Sequence, residues 1–556
     1  MRSYGIIALV YAVLFVFLIL PISFIFMKCF TVDGKFTLSF LPLMFENAII
    51  RLSILNSVKI SLMTTLLTTL LSVPLCFIML RYEFRLKTLF QGLLLVPMIM
   101  PPFVGALGMK KFFAVYGSLN LFLMENGLMT TPIDWFGHGG FWGVVILGVL
   151  HLYPIMYLNV SAAMANVDPS LEEASESLGA SKWRIFRTVT LPLMIPGYFA
   201  GAIIVLIWSF TDLGTPLMFD FNHVVPVQIF FMVSDINVNP MGYVLSMFVV
   251  LITILFFYLS KVVVGTRRYE MLGRGHVVSR GQNASPSAHL LIYATLLSII
   301  LIALMPHVGV LLYSISDRWF MTVLPEHYTL RYFGEMFQNP ISYTGIRNSL
   351  FLSIGSTILD IGLGVMIAYI LTRKKIWGLN LLDSLVMLPL ALPGVVVAFG
   401  YVGLFSGTFL DPRFNPMPLL VIAYAIRRLP YIVRSAYAGF QQTSLALEEA
   451  SVGLGASRGR TLMKITMPLI MANLIAGGLL CFSYAMLEVS DSLILAMQER
   501  FFPMTKAIFS LSKYITEGAY LASALGMLGM AVLTVCILIA AKILGKRMGE
   551  LFRSAS

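Results

Sequence analysis

The chain has 556 residues, of which 58% are hydrophobic and only 12% are charged, and its mean hydropathy is +0.89. Soluble domains carry about 25% charged residues, so the composition excludes a large soluble core and indicates a polytopic membrane protein. The formal net charge of +12 is a value that nucleic-acid-binding proteins also reach. Here the lysines and arginines fall in short segments beside apolar runs, which is the pattern that sets membrane orientation. We therefore expect no nucleic-acid partner.

Twelve apolar runs are long enough to cross about 30 Å of hydrocarbon. The first run is longer than the core of a signal peptide and lacks a small-residue cleavage site, so we expect it to be retained. Basic residues concentrate in every second connection, which predicts a multi-pass protein with both termini on the cytoplasmic side. The runs lie near 5–27, 56–80, 88–108, 141–163, 198–218 and 242–264, and then near 289–314, 348–371, 380–405, 416–439, 473–495 and 522–544.

A polar segment between apolar runs occurs twice, at an offset of 276 residues without a gap. Residues 172–192 read EEASESLGASKWRIFRTVTLP, and residues 448–468 read EEASVGLGASRGRTLMKITMP. Each predicts a short helix with acidic residues in its first turn, followed by a glycine that can end it. An ordinary solvated connection explains the charges but not the repeated order. We interpret the segments as two equivalent docking surfaces, with the shared residues Glu172, Glu173, Ala174 and Gly179 in one and Glu448, Glu449, Ala450 and Gly455 in the other.

The duplication extends beyond these segments. Pro97, Pro101 and Gly108 match Pro389, Pro393 and Gly400 at an offset of 292. The change of offset predicts about 16 extra residues in the first half, and we expect them in the stretch 109–140. Six crossings per half make the repeat parallel. The predicted organisation is a first half over 1–264 (core about 52–264), a basic linker over 265–288 and a second half over 289–556 (core about 344–544).

Each half has a proline-bearing span before its polar segment, with Pro154 and Pro430 at equivalent positions. Proline removes a helix hydrogen bond and bends the helix, which membrane helices tolerate where neighbours satisfy the backbone. Arg427 and Arg428 lie about a dozen residues into their span, a costly depth unless they face protein or water. They are either cavity-lining or gating charges or members of a structural pair with a buried acid.

Acidic residues follow in the next span of each half. Asp212 aligns with Glu488, and Asp491 lies one turn further on. These acids are natural partners for the two arginines, with Asp360 as a further partner, unless they lie near the external face. A structural or gating ion pair ranks above direct ligand binding.

No chemistry of the chain's own is evident. The phosphate-binding pattern Gly-x4-Gly-Lys-(Ser/Thr) is absent from the sequence, and no nucleophile–base constellation stands out, so we predict no catalytic residue and no ATPase activity. The seven histidines and 33 methionines do not cluster as metal ligands. The cysteines also lack metal or redox spacing, so no metal site is predicted; they are Cys29, Cys76, Cys481 and Cys536.

The pattern Glu-Ala-(small)-x3-Gly-x9-(aliphatic)-x-(Leu/Met)-Pro, present at 173–192 and 449–468, resembles the signature of permease subunits of binding-protein-dependent ABC importers. In that family the segment holds the coupling helix, which sits in a cleft of the ATPase subunit. The family's usual second alanine is serine here, Ser175 and Ser451. Carried over, the resemblance implicates Glu173, Ala174 and Gly179, and Glu449, Ala450 and Gly455.

The resemblance implies an all-α fold of about 12 transmembrane helices, arranged as two parallel six-helix repeats of the type I importer permease. It also implies a bacterial inner membrane, two copies of an ABC ATPase that use ATP and Mg, and a periplasmic or lipid-anchored binding protein. The chain itself would bind no cofactor. The fused halves and the segment SFTDLGTP after the first signature look most like ferric-iron permeases. Similar fused permeases serve phosphonates, sugar phosphates or thiamine, and Arg427 and Arg428 would suit an anion.

Two interpretations from other classes remain. A secondary transporter would take up its solute on an ion gradient alone. A membrane-embedded enzyme would need a catalytic cluster within the membrane, and the scattered acids do not form an evident one.

Overall fold

The computed structural model describes residues 2–32, 34–236, 238–265, 282–283, 286–374, 378–514 and 517–544. Most of the predicted linker 265–288 and the residues after 544 lie outside this part. What is described is mainly helical, because in lipid each backbone N–H and C=O must be satisfied within the chain.

The first half begins with two helices separated by a π-helical turn at Phe15–Ile19, and a second π-helical turn at Phe186–Thr190 precedes α11. Its helices are α1 (Arg2–Leu14), α2 (Leu20–Cys29), α3 (Phe40–Glu46), α4 (Ala48–Arg81), α5 (Lys87–Leu95), α6 (Pro102–Phe113), α7 (Ser118–Glu125), α8 (Phe141–Ala165), α9 (Pro169–Ser177), α10 (Lys182–Ile185), α11 (Leu191–Thr211), α12 (Gly214–Met218), α13 (Val225–Phe231) and α14 (Met241–Gly265).

The second half repeats this order, including a π-helical turn at Leu462–Thr466 before α23. Its helices are α15 (Pro286–Ile315), α16 (Arg331–Glu335), α17 (Pro340–Arg373), α18 (Leu379–Ala391), α19 (Gly394–Phe405), α20 (Met417–Gln442), α21 (Leu445–Gly453), α22 (Arg458–Thr461), α23 (Met467–Met486), α24 (Ser490–Leu495), α25 (Met504–Ser512) and α26 (Gly518–Leu544).

Short elements complete the described chain. The 3-10 turns are Val96–Met98, His138–Gly140 and Glu499–Phe501. Two strand pairs are present, β1 (Thr31–Val32) antiparallel to β2 (Lys35–Phe36) and β3 (Tyr82–Glu83) parallel to β4 (Gln282–Asn283).

The predicted duplication is confirmed by this order. Helices α4–α6 correspond to α17–α19, and α8–α14 correspond to α20–α26; α4 and α17 have 34 residues each. Helix α7 lies in the stretch where the extra residues of the first half were expected, whereas a short loop over 406–416 stands in its place in the second half.

Nine helices in the described ranges are long and apolar enough to span a membrane, and two bent pairs bring the number to eleven. The bent pairs are Lys87–Met98 with Pro102–Glu125 (96°) and Leu379–Ala391 with Gly394–Phe405 (103°). The apolar runs predicted near 88–108 and 380–405 are therefore bent pairs of helices and not single continuous helices. Pro101 and Pro393 stand at the breaks in extended conformation; proline has no N–H to continue a helix and keeps the preceding residue out of the helical region.

The one predicted span not counted among these eleven, near 416–439, is the continuous 26-residue helix α20. It is less apolar than the nine because it carries Arg427, Arg428 and Arg434. Arginines at this depth need acidic or polar partners, so α20 depends on the ion pairs described below.

Two further predicted spans are interrupted. The apolar runs predicted near 198–218 and 473–495 each contain a helix end, since α11 ends at Thr211 and α23 ends at Met486. In the first half, Asp212 Oδ1 accepts hydrogen bonds from the backbone N–H groups of Gly214 (3.1 Å) and Thr215 (3.3 Å), which starts the short helix α12. A half-buried acid thus ends one helix and begins the next.

Small and polar side chains allow the central helices to approach closely. A stripe of buried serines and threonines on α4 contacts α8, and Ser72 Oγ donates a hydrogen bond to the Tyr153 carbonyl (3.0 Å). The equivalent stripe on α17 contacts α20. Such interfaces hold membrane helices together where lipid is as apolar as leucine.

The first helix of each half packs on the opposite half. The Tyr11 hydroxyl donates to the Gly378 carbonyl (3.1 Å) and the Tyr401 hydroxyl donates to the Phe17 carbonyl (2.5 Å), so α1 and α2 lie on the second half. In exchange α15 lies on α6, where Gly309 would place a Cβ 2.6 Å from Gly108 Cα. The predicted halves therefore describe the sequence repeat, while the packing exchanges their first helices.

Candidate coupling surface and central cavity

The two repeated polar segments fold as the predicted short helices α9 and α21, with α10 and α22 after them. Asp168 caps α9, where its Oδ1 accepts from the Ser170 N–H (2.9 Å), and this hydrogen bond lowers the pKa of Asp168. Ser444 caps α21 by accepting from the Ala446 N–H (3.3 Å). The face of the molecule that carries α9 and α21 is called the coupling face below.

Gly179 and Gly455 end these helices in the left-handed conformation, with φ of +80° and +88°. The N–H of the residue after each glycine bonds back to a serine carbonyl, Ala180 to Ser175 and Ala456 to Ser451, at 3.1 Å in both. This is the Schellman ending, for which glycine carries no steric cost. A Cβ on either glycine would meet nothing within 4 Å, so the backbone conformation, not crowding within the chain, requires glycine.

The first glutamate of each segment anchors its helix to a long transmembrane helix. Glu172 Oε1 lies 2.5 Å from Arg81 Nη2 at the end of α4 and also accepts from Thr190 Oγ1 (2.5 Å). Glu448 Oε1 lies 3.0 Å from Arg373 Nε at the end of α17. The family signature begins at the second glutamate of each pair, and the structure gives the first glutamate an internal partner.

The remaining signature residues face outward. Glu173, Ala174 and Gly179 are exposed, as are Glu449, Ala450 and Gly455, and the order of exposed and half-buried positions is the same over 171–180 and 447–456. Leu178 is 88% exposed and Leu454 is 90% exposed. Large apolar side chains at this exposure, repeated on one face, are typical of a protein–protein contact.

A cavity of about 310 Å³ lies between the halves. Its lining includes Pro101 and Pro393, which stand at the breaks of the two bent pairs, and residues of α8 and α20. Predicted site residues lie around it: Asp212, Arg427, Arg428 and Glu488. Pro154 and Pro430 are buried within α8 and α20 and are not among its lining residues.

Arg427 and Arg428 form a buried ion cluster with acids from the segment after α23, as predicted. Arg428 Nη2 contacts Glu488 Oε2 directly, and Arg427 Nε lies 3.4 Å from the same oxygen. Arg427 Nη1 also lies 4.0 Å from Asp491 Oδ2. The Glu488 side chain is only 4% exposed, so removing either sign of charge would leave the other buried.

Two of the acids expected as partners do not join this cluster. Asp212 caps α12 instead, and Asp360 is fully buried without an ion pair among the described residues. Hydropathy and spacing predict that these acids lie in neighbouring spans. They do not predict which acids form ion pairs with Arg427 and Arg428.

The halves supply unequal walls to the cavity. At the offset of 276 residues, Arg427 and Arg428 correspond to His151 and Leu152, and Asp491 corresponds to Thr215. His151 lines the cavity, with its Nδ1 3.2 Å from the Pro97 carbonyl oxygen. Sequence reasoning missed His151, although the offset alone sets it opposite Arg427.

On the face opposite the coupling face, one acid links the halves. Asp220 lies 2.8 Å from Lys110 Nζ of the first half and 2.6 Å from Lys513 Nζ of the second. Partial burial raises the pKa of Asp220, but hydrogen bonds from the two lysines outweigh this effect and hold the pKa below its ordinary value. The contact closes the halves together at this end.

Comparisons with known proteins agree with this arrangement. The family model described as "Binding-protein-dependent transport system inner membrane component" matches residues 72–269 and 360–550. The chain is 27% identical over 417 residues to "Putative ferric transport system permease protein FbpB 1" of Haemophilus influenzae (74% of this chain, 65% of that protein). It is also 27% identical over 418 residues to "Ferric transport system permease protein FbpB" of Actinobacillus pleuropneumoniae (73% and 59%).

The matches thus span about 60–65% of the length of these two relatives. A solved structure of a bacterial ABC transporter involved in the import of the acidic polysaccharide alginate is 14% identical, with a TM-score of 0.38, over 48% of this chain and 95% of that chain. The family model covers more than half of the chain, in two blocks that coincide with the two repeats. The chain belongs to the family of binding-protein-dependent transport system inner membrane components, the multi-pass permease subunits of ABC importers.

Proposed function

We propose that the chain is the membrane subunit of an ATP-driven importer that carries ferric iron delivered by a periplasmic or lipid-anchored binding protein. The observation that carries the permease role is the pair of coupling helices, α9 and α21, which end alike at a glycine and share the same order of exposed positions. The names of the two relatives described above support iron as the substrate.

Two copies of one ATPase subunit dock on the coupling face, which lies in the cytoplasm with both chain termini. Support comes from the equal endings of the two helices at Gly179 and Gly455 and from the equal exposure of Leu178 and Leu454. Two surfaces built alike suit two identical partners. The ATPase subunits use ATP and Mg, and the chain itself binds no cofactor.

The anchoring pairs offer a route from the ATPase to the cavity. When the ATPase subunits close, α9 and α21 move with them, and Arg81 and Arg373 carry the displacement to α4 and α17. These helices pack along α8 and α20, which line the cavity. The contact of Asp220 with Lys513 on the opposite face then opens to admit the substrate.

An anion such as a phosphonate or sugar phosphate is the second candidate. The observation that favours it is Arg427, which lines the cavity with 25% of its side chain exposed. Against it, both arginines are already paired with Glu488, so an anion would have to displace a buried carboxylate. We therefore place iron first.

The test is reconstitution of the permease with its co-purified subunits and binding protein in proteoliposomes. Uptake of radioactive Fe³⁺ that requires both ATP and the loaded binding protein is the expected result. Preference for a phosphonate, a sugar phosphate or thiamine would overturn the iron assignment and keep the permease role. Uptake driven by an ion gradient without ATP would overturn the importer itself in favour of a secondary transporter.

A further inference from the structure

The wall that the first half gives to the cavity carries an acid without a cation. Asp212 lines the cavity and uses Oδ1 to accept the two backbone N–H groups at the start of α12. Within the described part of the chain, its second oxygen, Oδ2, makes neither a hydrogen bond nor an ion pair. One carboxylate oxygen is therefore left for a ligand.

The internal repeat explains why Asp212 lacks a partner. Its counterpart Glu488 is neutralised by Arg427 and Arg428, but the first half has His151 and Leu152 at the positions of those arginines. The two walls of the cavity therefore differ. In the second half the acid Glu488 is ion-paired with arginines, whereas in the first half the acid Asp212 has no cation beside it.

A second oxygen on the same half points to a ligand as well. Thr64 on α4 lines the cavity and is fully buried, and its Oγ1 has no hydrogen-bond partner among the described residues. Thr64 and Asp212 line the same cavity, so a ligand with affinity for oxygen donors has two unpaired oxygens of the first half near its path.

We propose that Asp212 and Thr64 form the contact through which a hard, oxygen-preferring trivalent cation crosses the cavity along the first-half wall. This inference rests on the proposed function and narrows it, because it assigns the substrate contact to one half. Carboxylate and hydroxyl oxygens are the donors that hard cations prefer. The proposed contact is a transient one on the pathway and not a resident metal site, and no group of three His, Cys, Asp or Glu side chains in the described ranges is placed to hold a metal ion.

Asp212→Asn separates the charge from the structural role. Asparagine keeps an oxygen that can accept the N–H groups of Gly214 and Thr215, so the start of α12 is preserved while the negative charge is lost. In the complete transporter we expect iron uptake to fall about tenfold or more, with unchanged stimulation of ATP hydrolysis by the loaded binding protein. Asp212→Glu should recover part of the uptake. Wild-type uptake by Asp212→Asn would overturn the proposal.

A binding measurement gives a readout independent of transport. Trp208 lines the same cavity four residues before Asp212, so it can sensitise the luminescence of Tb³⁺, used as a hard trivalent probe. The expected result is Tb³⁺ emission in the purified complex that Asp212→Asn abolishes, Thr64→Val weakens and Trp208→Phe reduces by removing the sensitising indole. Equal emission from wild type and Asp212→Asn would overturn the proposal.

The two measurements separate the possible failures. If the transporter takes up a phosphonate and not iron, the proposed function fails, and the Tb³⁺ titration still shows whether the cavity binds a cation at Asp212. If iron is taken up equally by wild type and Asp212→Asn, the proposed function stands and the assignment of the contact fails.

Discussion

Arg373 Nε, at the end of α17, lies 3.0 Å from Glu448 Oε1 in the coupling helix α21. Arg373 Nη2 also donates to the carbonyls of Phe440 and Thr443, both at 3.0 Å, so one guanidinium joins α17, the end of α20 and α21. Both side chains of the pair are nearly buried, at 11% and 13% exposure, where solvent screens their attraction less than at the surface. Through these contacts Arg373 links the coupling helix α21 to α17 and α20.

Breaking the ion pair between Arg373 and Glu448 should uncouple transport from ATP hydrolysis. We expect Glu448→Arg to reduce iron uptake about tenfold or more, because two cations then face each other in a half-buried site, while ATP hydrolysis continues. The exchange Arg373→Glu with Glu448→Arg should recover part of the uptake, though not all, since the carbonyl bonds of Arg373 are lost. If the double variant is no better than the single ones, the pair does not act as a unit.

The glycines that end the coupling helices should tolerate asparagine but not valine. A β-branched residue at φ near +80° costs about 1–2 kcal/mol, whereas asparagine visits this conformation readily. Gly179→Val and Gly455→Val should therefore weaken co-purification of the ATPase subunits, and the asparagine variants should retain it. Gly453→Ala is the matched control, because Gly453 lies within α21 with no positive φ and with open space around it. Normal ATPase assembly and uptake in both valine variants would contradict the docking assignment.

The exchange of first helices depends on the close approach of Gly108 and Gly309. A Cβ on Gly108 would meet the Pro306 carbonyl and lie 2.8 Å from the Val310 backbone nitrogen, neither of which can move freely. We expect Gly108→Ala to lower the thermal stability of the purified complex by about 1–3 kcal/mol, the usual cost of overpacking. Gly362→Ala serves as control, since a Cβ there meets nothing within 4 Å. Equal melting temperatures for the two variants would show that α15 and α6 can separate without loss.

The ion cluster should respond unequally to loss of its acid and of one arginine. Glu488→Gln leaves Arg427 and Arg428 buried without their shared partner, so we expect a loss of about 3–5 kcal/mol. Arg428→Met should cost less, because Arg427 remains 3.4 Å from Glu488. Thermal unfolding of the two variants in detergent measures the difference. A larger loss in Arg428→Met would mean that Arg427 does not share the charge of Glu488.

The coupling surface could be predicted from the sequence almost residue by residue. Its structure is local, because acidic residues in a first turn and a glycine six or seven residues later are readable within one segment. The partner of Glu172 was not readable, since Arg81 is 91 residues away.

The cavity was predicted only in outline. Hydropathy identified the spans but not their right-angle breaks, because Pro101 and Pro393 stand inside runs whose mean hydropathy is high. The alignment of the two repeats also grouped Asp212 with Glu488 as partners of Arg427 and Arg428. Their difference arises from which half carries the cations, which appears only when His151 and Leu152 are set against Arg427 and Arg428 at the repeat offset. The packing of α1 and α2 on the second half, and of α15 on the first, could not be predicted from the sequence, because it depends on tertiary contacts and not on a local sequence pattern.

That exchange has a consequence for how the protein is made. The face of α1 that carries Val10 and Leu14 is buried in a cluster with residues of α17, α18 and α20, such as Leu382. A chain synthesised from its N-terminus therefore inserts its first helix long before the surface that will receive it exists. Until translation has passed residue 442, where α20 ends, the surface that receives α1 is incomplete, so α1 can dock only after much of the second repeat has been synthesised.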